Sequence, residues 1–407
     1  MKPDFTQQLQ QELFAIADWW VSNTIDETHG GFIGEITVDN RPVPEASKGV
    51  ILNTRILWFF SEVEYFSRNT EKAGSYLRYA RRAYDYLVNN FLDRQDGGVY
   101  WELTAEGGVR NSRKQIYAQA FAIYGLASYF KLTGDETAIN LAYKIFELIE
   151  AHALDRDYDG YIEAFNGDWS ELRDFRLSEK DMNTPKSMNT HLHILEAYTN
   201  LYAVDKHVQV GNALRRCLRY FDEYIINHQA GHLRMFLSMT WEDQSDSWSY
   251  GHDIESSWLI WETLELLGDA SLIEHFKPMV LQLAETCLQQ AIGEHGEMLD
   301  AFNFKTDTLM QERVWWVQAE ALLSVLTLYR ATREPAYLAV FEMTLGWIEK
   351  AQVDWQGGEW HREIDADGQP RGAKFDRWKC PYHNGRAILE SLDLAAGLLG
   401  RRSFHPM

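Results

Sequence analysis

The sequence predicts an all-α protein, an (α/α)6 barrel of six helical hairpins with short β-hairpins in the loops at one end. Three observations support this prediction. A glycine-and-aromatic phrase recurs along the chain, two amphipathic helical segments separate successive phrases, and no Pro/Ser-rich or low-complexity stretch divides the sequence. Regular internal periods of this kind identify repeat architectures. We therefore expect a single barrel domain over residues 1–407.

The repeated phrase is a glycine turn followed by alternating large residues. It occurs as HGGFIGEI from His29, DGGVYWEL from Asp96, YDGYIEAF from Tyr158, AGHLRMFL from Ala230, HGEMLDAF from His295 and QGGEWHRE from Gln356. The starts are 67, 62, 72, 65 and 61 residues apart, so six units account for nearly the whole chain. Glycine followed by alternating large side chains predicts a turn that leads into a short strand or hairpin.

Two helical segments lie between successive phrases. Apolar residues recur at i, i+3, i+4 and i+7 in segments such as 117–132 and 137–152, which is typical of amphipathic helices. One segment of each pair is the more continuously apolar, and this predicts an inner helix buried on two sides. An open solenoid is the alternative, but TPR and HEAT repeats are shorter, at about 34 to 47 residues, and lack the glycine–aromatic loop.

Composition limits the classes of partner. The chain has 39 basic and 60 acidic residues, a net charge of −21, which disfavours nucleic acid and anionic membrane surfaces. Its 15 Trp, 20 Tyr and 20 Phe make up 14% of the residues. Most of these aromatic rings are expected in the core, but sugars stack on indole faces through their C–H groups. The composition therefore favours a neutral, sugar-like ligand.

The cysteines and the N-terminal segment indicate a compartment. Cys217, Cys287 and Cys380 are odd in number and scattered, without a disulfide framework or a CxxC metal spacing, as in reducing compartments. The first twenty residues interrupt every apolar run with Gln, Glu or Asp, unlike a signal peptide. Apolar runs elsewhere are too short to span a bilayer. We expect a cytoplasmic protein without a membrane partner, and monomer and homodimer are both open.

In a closed barrel, the starts of the six inner helices meet at one mouth. Their unpaired backbone N–H groups favour developing negative charge there. The side chains with useful chemistry near these starts are Arg55, Tyr117, Asn189, His193, His252, Glu255, Trp315, Gln318, His383 and Arg386. A single histidine at such a position is more often a cap than a catalyst, but three near the starts of different helices are harder to dismiss.

His252 and Glu255 are three residues apart and share one helix face. Glu255 could orient His252 and raise its basicity, although an ordinary surface ion pair is the plainer interpretation. His191 and His193 cannot both face the cavity, and we expect His193 to point inward.

Two other chemistries are weaker alternatives. His193, His252 and His383 could hold a metal, but neither a clustered carboxylate set nor an HExxH motif accompanies them. Cys380 and His383 could form a nucleophile pair, but a proline lies between them and acyl-transfer features are lacking. We predict no metal and no cofactor.

Five segments resemble a known family. SYGHDIESSW, RVWWVQAEAL, WKCPYHNGR, KGVILNTRILWFF and SMNTHLHILEAYTNLY closely resemble the cellobiose 2-epimerase branch of the N-acylglucosamine 2-epimerase superfamily, to which mannose 2-epimerases are related. The resemblance extends from about residue 30 to 389. It implies an (α/α)6 barrel and an enzyme that inverts C2 of a reducing-end aldose without metal or nucleotide.

The resemblance also implies roles for individual residues. His252 and His383 match the two general bases, with Glu255 and Arg55 in supporting catalytic positions. The residues that match substrate contacts are Asn189, His193, Trp315, Trp378, Tyr117 and Asp181. Histidine suits proton transfer at C2 because its ordinary pKa of about 6.5 lies near working pH.

The substrate and the reaction class have alternatives. Cellobiose and related β-1,4 disaccharides are the first expectation, and free D-mannose or D-glucose is the second. Partial aldose–ketose isomerisation through the same enediolate is also open. More distant alternatives are an (α/α)6 glycoside hydrolase, which needs two carboxylates about 5 to 10 Å apart across its cleft, and a toroid that binds sugar without catalysis.

Overall fold

Twelve α-helices alternate between an outer and an inner ring in the computed structural model, which describes residues 5–179 and 181–398. The odd-numbered, outer helices are α1 (Phe5–Asn23), α3 (Leu77–Tyr86), α5 (Glu136–Leu148), α7 (Val208–Tyr220), α9 (Ala270–Ala291) and α11 (Pro335–Trp347). The even-numbered, inner helices are α2 (Val50–Ser67), α4 (Ile116–Thr133), α6 (Met188–Val204), α8 (Tyr250–Leu267), α10 (Trp315–Thr332) and α12 (His383–Leu398).

The inner helices are buried on nearly every side, as their continuous apolar sequence predicts. In α4, for example, all residues from Ile116 to Tyr129 are buried, whereas α3 and α7 keep a charged outer face. Local sequence sets the helix ends: Ser187 and Ser249 accept N-cap hydrogen bonds for α6 and α8. Gly134 ends α4 in the left-handed conformation that glycine adopts without strain.

The six inner helices form a closed ring. Each one contacts the next, and α12 contacts α2 to complete the circle. Each outer helix from α3 to α11 packs on the inner helix that precedes it, whereas α1 packs on α12. The sixth hairpin is therefore assembled from the two ends of the described chain. These contacts confirm the predicted barrel.

Short strands join neighbouring hairpins at the end of the barrel where the inner helices begin. They are β1 (Lys48–Gly49), β2 (Glu102–Leu103), β3 (Val109–Asn111), β4 (Lys114–Gln115), β5 (Ala164–Phe165), β6 (Lys186–Ser187), β7 (Ile226–Asn227), β8 (His232–Leu233), β9 (Phe236–Leu237), β10 (Ser247–Ser249), β11 (Ala301–Asn303), β12 (Thr308–Met310), β13 (Arg313–Val314), β14 (Glu363–Ile364) and β15 (Pro370–Arg371). One short strand precedes each of five inner helices, α2, α4, α6, α8 and α10. Each of these strands pairs antiparallel with a strand of the next glycine phrase along the chain, as β1 pairs with β2 and β13 with β14. Before α12, the bridge between Phe375 and Ile36 repeats this arrangement with the first phrase.

The outer helices α3, α5, α7 and α11 each continue into a π-helical turn that ends three or four residues before the glycine phrase. These turns are Leu87–Phe91, Ile149–Ala153, Phe221–Ile225 and Ile348–Gln352. Each phrase then folds back as a narrow turn, closed for example by the bridges Ile25–Phe32 and Leu154–Tyr161. The predicted turn-and-strand character of the phrase is confirmed.

Buried ion pairs fix four of these turns. In each turn, the aspartate that follows the first residue of the closing bridge accepts a hydrogen bond from a lysine ammonium. In three turns this lysine lies in the strand before the next inner helix, and in the last turn it is Lys374. The Oδ2–Nζ pairs are Asp26–Lys48 (2.6 Å), Asp93–Lys114 (2.5 Å), Asp155–Lys186 (2.8 Å) and Asp354–Lys374 (2.5 Å). The lysine side chains are at most 1% exposed. Repetition of this pair holds the loops that surround the mouth.

Candidate active site

The predicted residues lie at the mouth of the ring. The sixth residues of five inner helices lie at the same level along the barrel. The sixth residue of α2, α4, α6, α8 and α10 is, in order, Arg55, Phe121, His193, Glu255 and Glu320. All five are buried. Four polar side chains at one level of five adjacent helices form the floor of a site.

His383, the first residue of α12, is held by a carboxyl group. Its Nδ1 is hydrogen-bonded to Oε1 of Glu320 at 2.7 Å, and the other oxygen of Glu320 accepts from Nε1 of Trp258 at 2.8 Å. Burial lowers the pKa of His383 well below 6.5, and the cations of Arg55 and Arg386 act in the same direction. A neutral imidazole with Nδ1 fixed offers Nε2 to the cavity as a base.

His252, the third residue of α8, has a different partner. Its Nδ1 lies 2.7 Å from Oγ of Ser249, the residue that also caps the helix. Burial lowers the pKa of His252 to about 3, and the nearby His193 contributes to this shift. The expectation that Glu255 orients His252 and raises its basicity is therefore wrong. The two side chains share a helix, but Oε1 of Glu255 accepts from Arg386 at 2.7 Å.

Arg386 is the centre of the polar floor. Its Nη2 donates to Glu255 at 2.7 Å and to Glu320 at 2.6 Å, and its Nη1 donates to Glu196. The guanidinium also stacks on Trp258, 4.7 Å from the ring centroid. One buried cation thus joins α6, α8, α10 and α12.

The carboxyl groups around Arg386 have unequal proton affinities. Although burial raises the pKa of Glu196, Arg386 and His193 lower it to about 2, so this group is ionised. Burial raises the pKa of Glu255 well above 4.5, with the like charge of Glu320 adding to the shift. Burial likewise raises the pKa of Glu320. The Glu255–Glu320 pair therefore retains a proton more readily than exposed carboxylates do.

His193 faces the site and His191 does not, as expected. Nδ1 of His193 is 2.7 Å from Oε2 of Glu196, and its ring lies 4.8 Å from that of Tyr117. In contrast, Nε2 of His191 accepts from the backbone N–H of Tyr161 at 2.9 Å. His191 is the fourth residue of its inner helix. The fourth residues of four inner helices each accept a hydrogen bond from a backbone N–H of a glycine phrase, outside the ring: Gln119, His191, Asp253 and Gln318.

Arg55 supplies a second buried cation. Its Nη2 donates to the hydroxyl of Tyr117 at 2.7 Å, and its Cζ lies 4.1 Å from the ring centroid of Phe121 and 4.3 Å from that of Tyr382. The Nε atom is buried and has no hydrogen-bond partner among the described residues. A buried cation that is held in place by aromatic rings can stabilise a developing oxyanion through its charge.

Tryptophans form the walls. The ring centroid of Trp316 lies 4.8 Å from that of His252 and 5.6 Å from that of His383, so both imidazoles pack on one indole. Trp315 meets His383 edge-on at 6.1 Å. Trp378 lies 6.5 Å from Tyr117 and is half-buried. The two predicted tryptophans therefore lie beside His383 and Tyr117, and Trp316 is a third tryptophan at the site that was not predicted.

Asp181 and Asn189 line a cavity of about 420 Å³ together with His252. Oδ2 of Asp181 accepts from the backbone N–H of Ser178 at 2.7 Å, and Oδ1 of Asn189 has no partner among the described residues. Glu163, also in the lining, was not predicted; burial raises its pKa to about 7.

Glu255, Glu320 and His383 also meet the distance requirement for a metal site, with ligand atoms within 4.8 Å of one another in the described part of the chain. However, Nη2 of Arg386 bonds Oε1 of both glutamates. A guanidinium therefore already supplies the positive charge that a cation would bring. The arrangement favours a proton-transfer site over a metal centre.

A closed helical barrel whose mouth holds two imidazoles with lowered pKa, a buried arginine and indole side chains is typical of an enzyme that transfers protons. The family model described as N-acylglucosamine 2-epimerase (GlcNAc 2-epimerase) matches residues 31–387. This chain belongs to that family and is a carbohydrate epimerase.

Individual relatives agree with this membership. A cellobiose 2-epimerase from Bacteroides fragilis is 40% identical over 389 residues, which cover 95% of this chain and 98% of the relative. The solved structure of cellobiose 2-epimerase from Spirochaeta thermophila matches with a TM-score of 0.89 at 35% identity, covering 97% of this chain and 98% of the other. A D-mannose isomerase from Marinomonas mediterranea is 22% identical, with coverage of 91% and 92%.

Among the described helices, none is both long and apolar enough to cross a membrane.

Proposed function

We propose that the chain inverts C2 of the reducing-end glucose of cellobiose, or of a related β-1,4 disaccharide, with His252 and His383 as the proton-transfer pair. The observation that carries the proposal is the common packing of both imidazoles on Trp316. Each has Nδ1 fixed, by Ser249 and by Glu320 respectively, so each has Nε2 available for the sugar between them.

The reaction begins when the pyranose opens and exposes the C1 aldehyde. In one direction, Nε2 of His252 removes the C2 proton, and the bonding electrons form the C1–C2 double bond while C1–O becomes an oxyanion. His383, in the neutral tautomer that carries its proton on Nε2, then donates that proton to the opposite face of C2, while its Nδ1 takes the proton of the Glu320 carboxyl group. In the reverse direction, the two histidines exchange roles. After turnover, His252 loses the proton that it took to solvent, and Glu320 regains one from solvent.

Electrostatics stabilise the enediolate. Arg55 acts on its oxygen through the positive charge of a guanidinium that is held in place by Tyr117, Phe121 and Tyr382. Donors that are fixed before the reaction contribute several kcal/mol at such sites, about 3 to 4 for one donor. The inner-helix N-termini add partial positive charge.

The remaining predicted residues hold the sugar. We assign Trp315, Trp378 and Tyr117 to stacking and Asn189, His193 and Asp181 to hydrogen bonding. A disaccharide is preferred because the relatives at 35 to 40% identity are named for cellobiose, whereas the mannose isomerase is 22% identical. D-mannose/D-glucose interconversion is the second candidate.

Several further proposals accompany this function. Catalysis needs no metal, and activity after exhaustive chelation should equal that of the untreated enzyme. The chain is one domain, and its location is cytoplasmic. Hydrolysis is disfavoured because Glu255 and Glu320 are both bonded to Arg386, which leaves neither free as an acid–base pair across a cleft.

One experiment tests the reaction and the substrate together. Cellobiose, D-mannose and N-acetylglucosamine are incubated separately with enzyme in D2O, and products are identified by NMR. We expect 4-O-glucosyl-mannose with deuterium at C2 from cellobiose. Epimer without deuterium would overturn the proton-transfer mechanism, released glucose would indicate a hydrolase, and turnover of mannose alone would move the assignment to the second candidate.

A further inference from the structure

A cavity of about 630 Å³ lies on the outer side of the barrel, between α1 and the end of α11. Most of its wall is apolar and includes residues of the inner helices α10 and α12: Leu9, Leu322, Leu345, Ile348, Val353 and Ile388. Two carboxyl groups and two indoles belong to the same wall: Glu12, Glu349, Trp355 and Trp360. An apolar cavity with a few polar groups is the usual form of a small-molecule site.

The two carboxyl groups of this cavity lack a cation. Oε1 of the half-buried Glu12 accepts from Nε1 of Trp360 at 2.8 Å, which leaves Oε2 for a ligand. Burial raises the pKa of Glu12 to about 7, and the negative charges of Glu359 and Glu349 add to this shift. Burial also raises the pKa of Glu349. Among the described residues, neither Glu12 nor Glu349 forms an ion pair, and Glu359 already has Lys379 as its partner at 3.1 Å.

Another unit of the chain contains the cation that this unit lacks. In the unit of α5, the second residue of the π-helical turn is Glu150, and it is paired with Arg216 of α7, the next outer helix around the ring. The corresponding residue in the unit of α11 is Glu349. The next outer helix there is α1, which contributes Glu12 in place of an arginine. A carboxyl group therefore faces a second carboxyl group across a cavity.

A second arginine is also replaced in the last unit. Arg94 and Arg156 follow the turn aspartates of two other units, and each donates to the carbonyl of the second residue in the π-helical turn, at 3.2 and 3.5 Å. In the last unit this residue is Trp355, whose Nε1 donates to the carbonyl of Glu349 at 2.7 Å. Trp355 is 69% exposed. The last unit thus keeps the glutamate and has an indole where a guanidinium would lie.

We propose that this cavity binds an organic ammonium ion, an alkylamine or arylamine whose apolar part occupies the cavity. An ammonium group has several N–H donors, so it can bond the carboxyl groups of Glu12 and Glu349 together. The exposed indole of Trp355 can lie against the cation, a contact that favours an ammonium over a neutral group. The cavity lies on the outer ring, and the proposal is independent of the reaction assigned to the histidine pair.

The test is isothermal titration calorimetry of the full chain with 2-phenylethylamine, 2-phenylethanol and 3-phenylpropionate, each with and without cellobiose. Wild type should bind the amine with a Kd of about 1 mM or tighter. The neutral alcohol should bind at least ~10-fold more weakly, and the carboxylate should not bind. Absence of saturable amine binding, or equal binding of amine and alcohol, would overturn the proposal. Competition by cellobiose would place the amine in the sugar site and would also overturn it.

Glu12→Gln is the decisive variant because its side-chain amide keeps an acceptor for Trp360 but has no charge. We expect at least ~10-fold weaker binding of the amine. Glu342→Gln, on an exposed glutamate of α11, is the matched control and should bind as wild type does. Trp355→Ala removes an exposed side chain, so it should fold normally and bind the amine more weakly. Wild-type affinity in both Glu12→Gln and Trp355→Ala would refute the site.

The pH dependence of binding provides a separate measurement. The groups that face Glu12 are Glu349, Glu359 with its partner Lys379, and the indole N–H of Trp360. An ammonium ion stabilises the ionised form of Glu12, whereas the ligand itself stays charged at neutral pH. Wild-type affinity should therefore rise from about pH 6 to about pH 8, and Glu12→Gln should lose most of this rise. An identical pH dependence in both proteins would contradict the assignment of Glu12.

Discussion

Nδ1 of His383 and Oε1 of Glu320 are 2.7 Å apart, on helices α12 and α10, while the partner imidazole of His252 is bonded only to a serine hydroxyl at Nδ1. The two histidines thus differ in their supply of protons. His383 is connected to carboxyl groups with raised pKa, and His252 is neutral and half-buried at the cavity.

The first prediction concerns the histidine pair. His252→Asn and His383→Asn should each lower kcat by about 10² to 10⁴, the usual contribution of a general acid or base, while the thermal unfolding midpoint stays near that of wild type. His275→Asn, on an exposed outer-ring histidine, is the matched control and should be fully active. A His252 or His383 variant with a tenth of the wild-type rate would refute the assignment.

The second prediction is the acid limb of the pH profile. A base acts when neutral, and the neutral form dominates above its pKa. Because burial lowers the pKa of His252 to about 3, log kcat/KM should stay flat as pH falls through 6.5, where an ordinary histidine would protonate. Initial rates between pH 5 and 9 on protein checked for folding at each pH provide the measurement, and a slope of one starting near 6.5 contradicts the expectation.

The same profile tests Glu320. Its raised pKa moves the loss of the stored proton to higher pH than in an exposed glutamate, so activity should decline with rising pH as the carboxyl pair ionises. Glu320→Gln cannot supply that proton, and we expect kcat to fall about 10- to 100-fold together with a changed alkaline limb and little change in KM. Glu265→Gln, an exposed glutamate paired with Arg330, should leave the profile unaltered.

The third prediction separates charge from shape at Arg55. Arg55→Lys keeps the positive charge but loses the planar group that packs on Phe121 and Tyr382 and donates to the hydroxyl of Tyr117. We expect kcat to fall about 10²-fold or more, as when one fixed oxyanion donor is removed. Arg110→Lys, on a 59% exposed side chain, controls for the exchange itself. Wild-type kcat in Arg55→Lys would show that a positive charge suffices and that the planar guanidinium is not required.

The fourth prediction concerns the buried pairs that fix the loops. Lys114→Met leaves the Asp93 carboxylate buried without its partner and should cost about 3 to 5 kcal/mol in the free energy of unfolding. Lys72→Met removes an exposed partner of Asp18 and should cost at most ~1 kcal/mol. Urea titrations of both variants provide the comparison, and equal losses would mean that burial of the pair is unimportant.

The pH dependence of this pair has a definite sign. Burial alone would raise the pKa of Asp93, but hydrogen bonds from Lys114 and from two backbone amides lower it below 3.8. A depressed carboxylate pKa stabilises the fold above the unfolded value and ceases to do so as pH falls through the folded one. The stability difference between wild type and Lys114→Met should therefore shrink below about pH 4.

Much of the fold could be predicted because the glycine phrase repeats the same physical requirement six times. Each turn needs residues that tolerate positive φ, such as Gly31 and Gly98, and each inner helix needs apolar residues on all faces. The π-helical turns and the cyclic strand pairing could not be predicted, because they depend on how neighbouring units contact each other.

The site was predicted in part for a similar reason. His252 and His383 lie near helix starts, and closure of the ring brings them together. Glu320 was missed although it occupies the same sixth position as Arg55, His193 and Glu255, a register that becomes visible once helix starts are known. Spacing within α8 predicted a His252–Glu255 partnership, but it could not reveal that Arg386 on another helix competes for the carboxyl group.

The packing of α1 on α12 has a consequence for synthesis. A ribosome releases α1 long before α12, yet these two helices pack as one hairpin. Nε1 of Trp20 in α1 donates to the same Glu359 carboxylate that accepts from Asn384, the residue after His383. Domains fold as units as the chain emerges, but here α1 waits for a partner more than 350 residues downstream. A nascent chain whose α12 has not yet emerged from the ribosome can form five hairpins. Its α1 still lacks the helix on which it packs, and the mouth of its barrel still lacks His383.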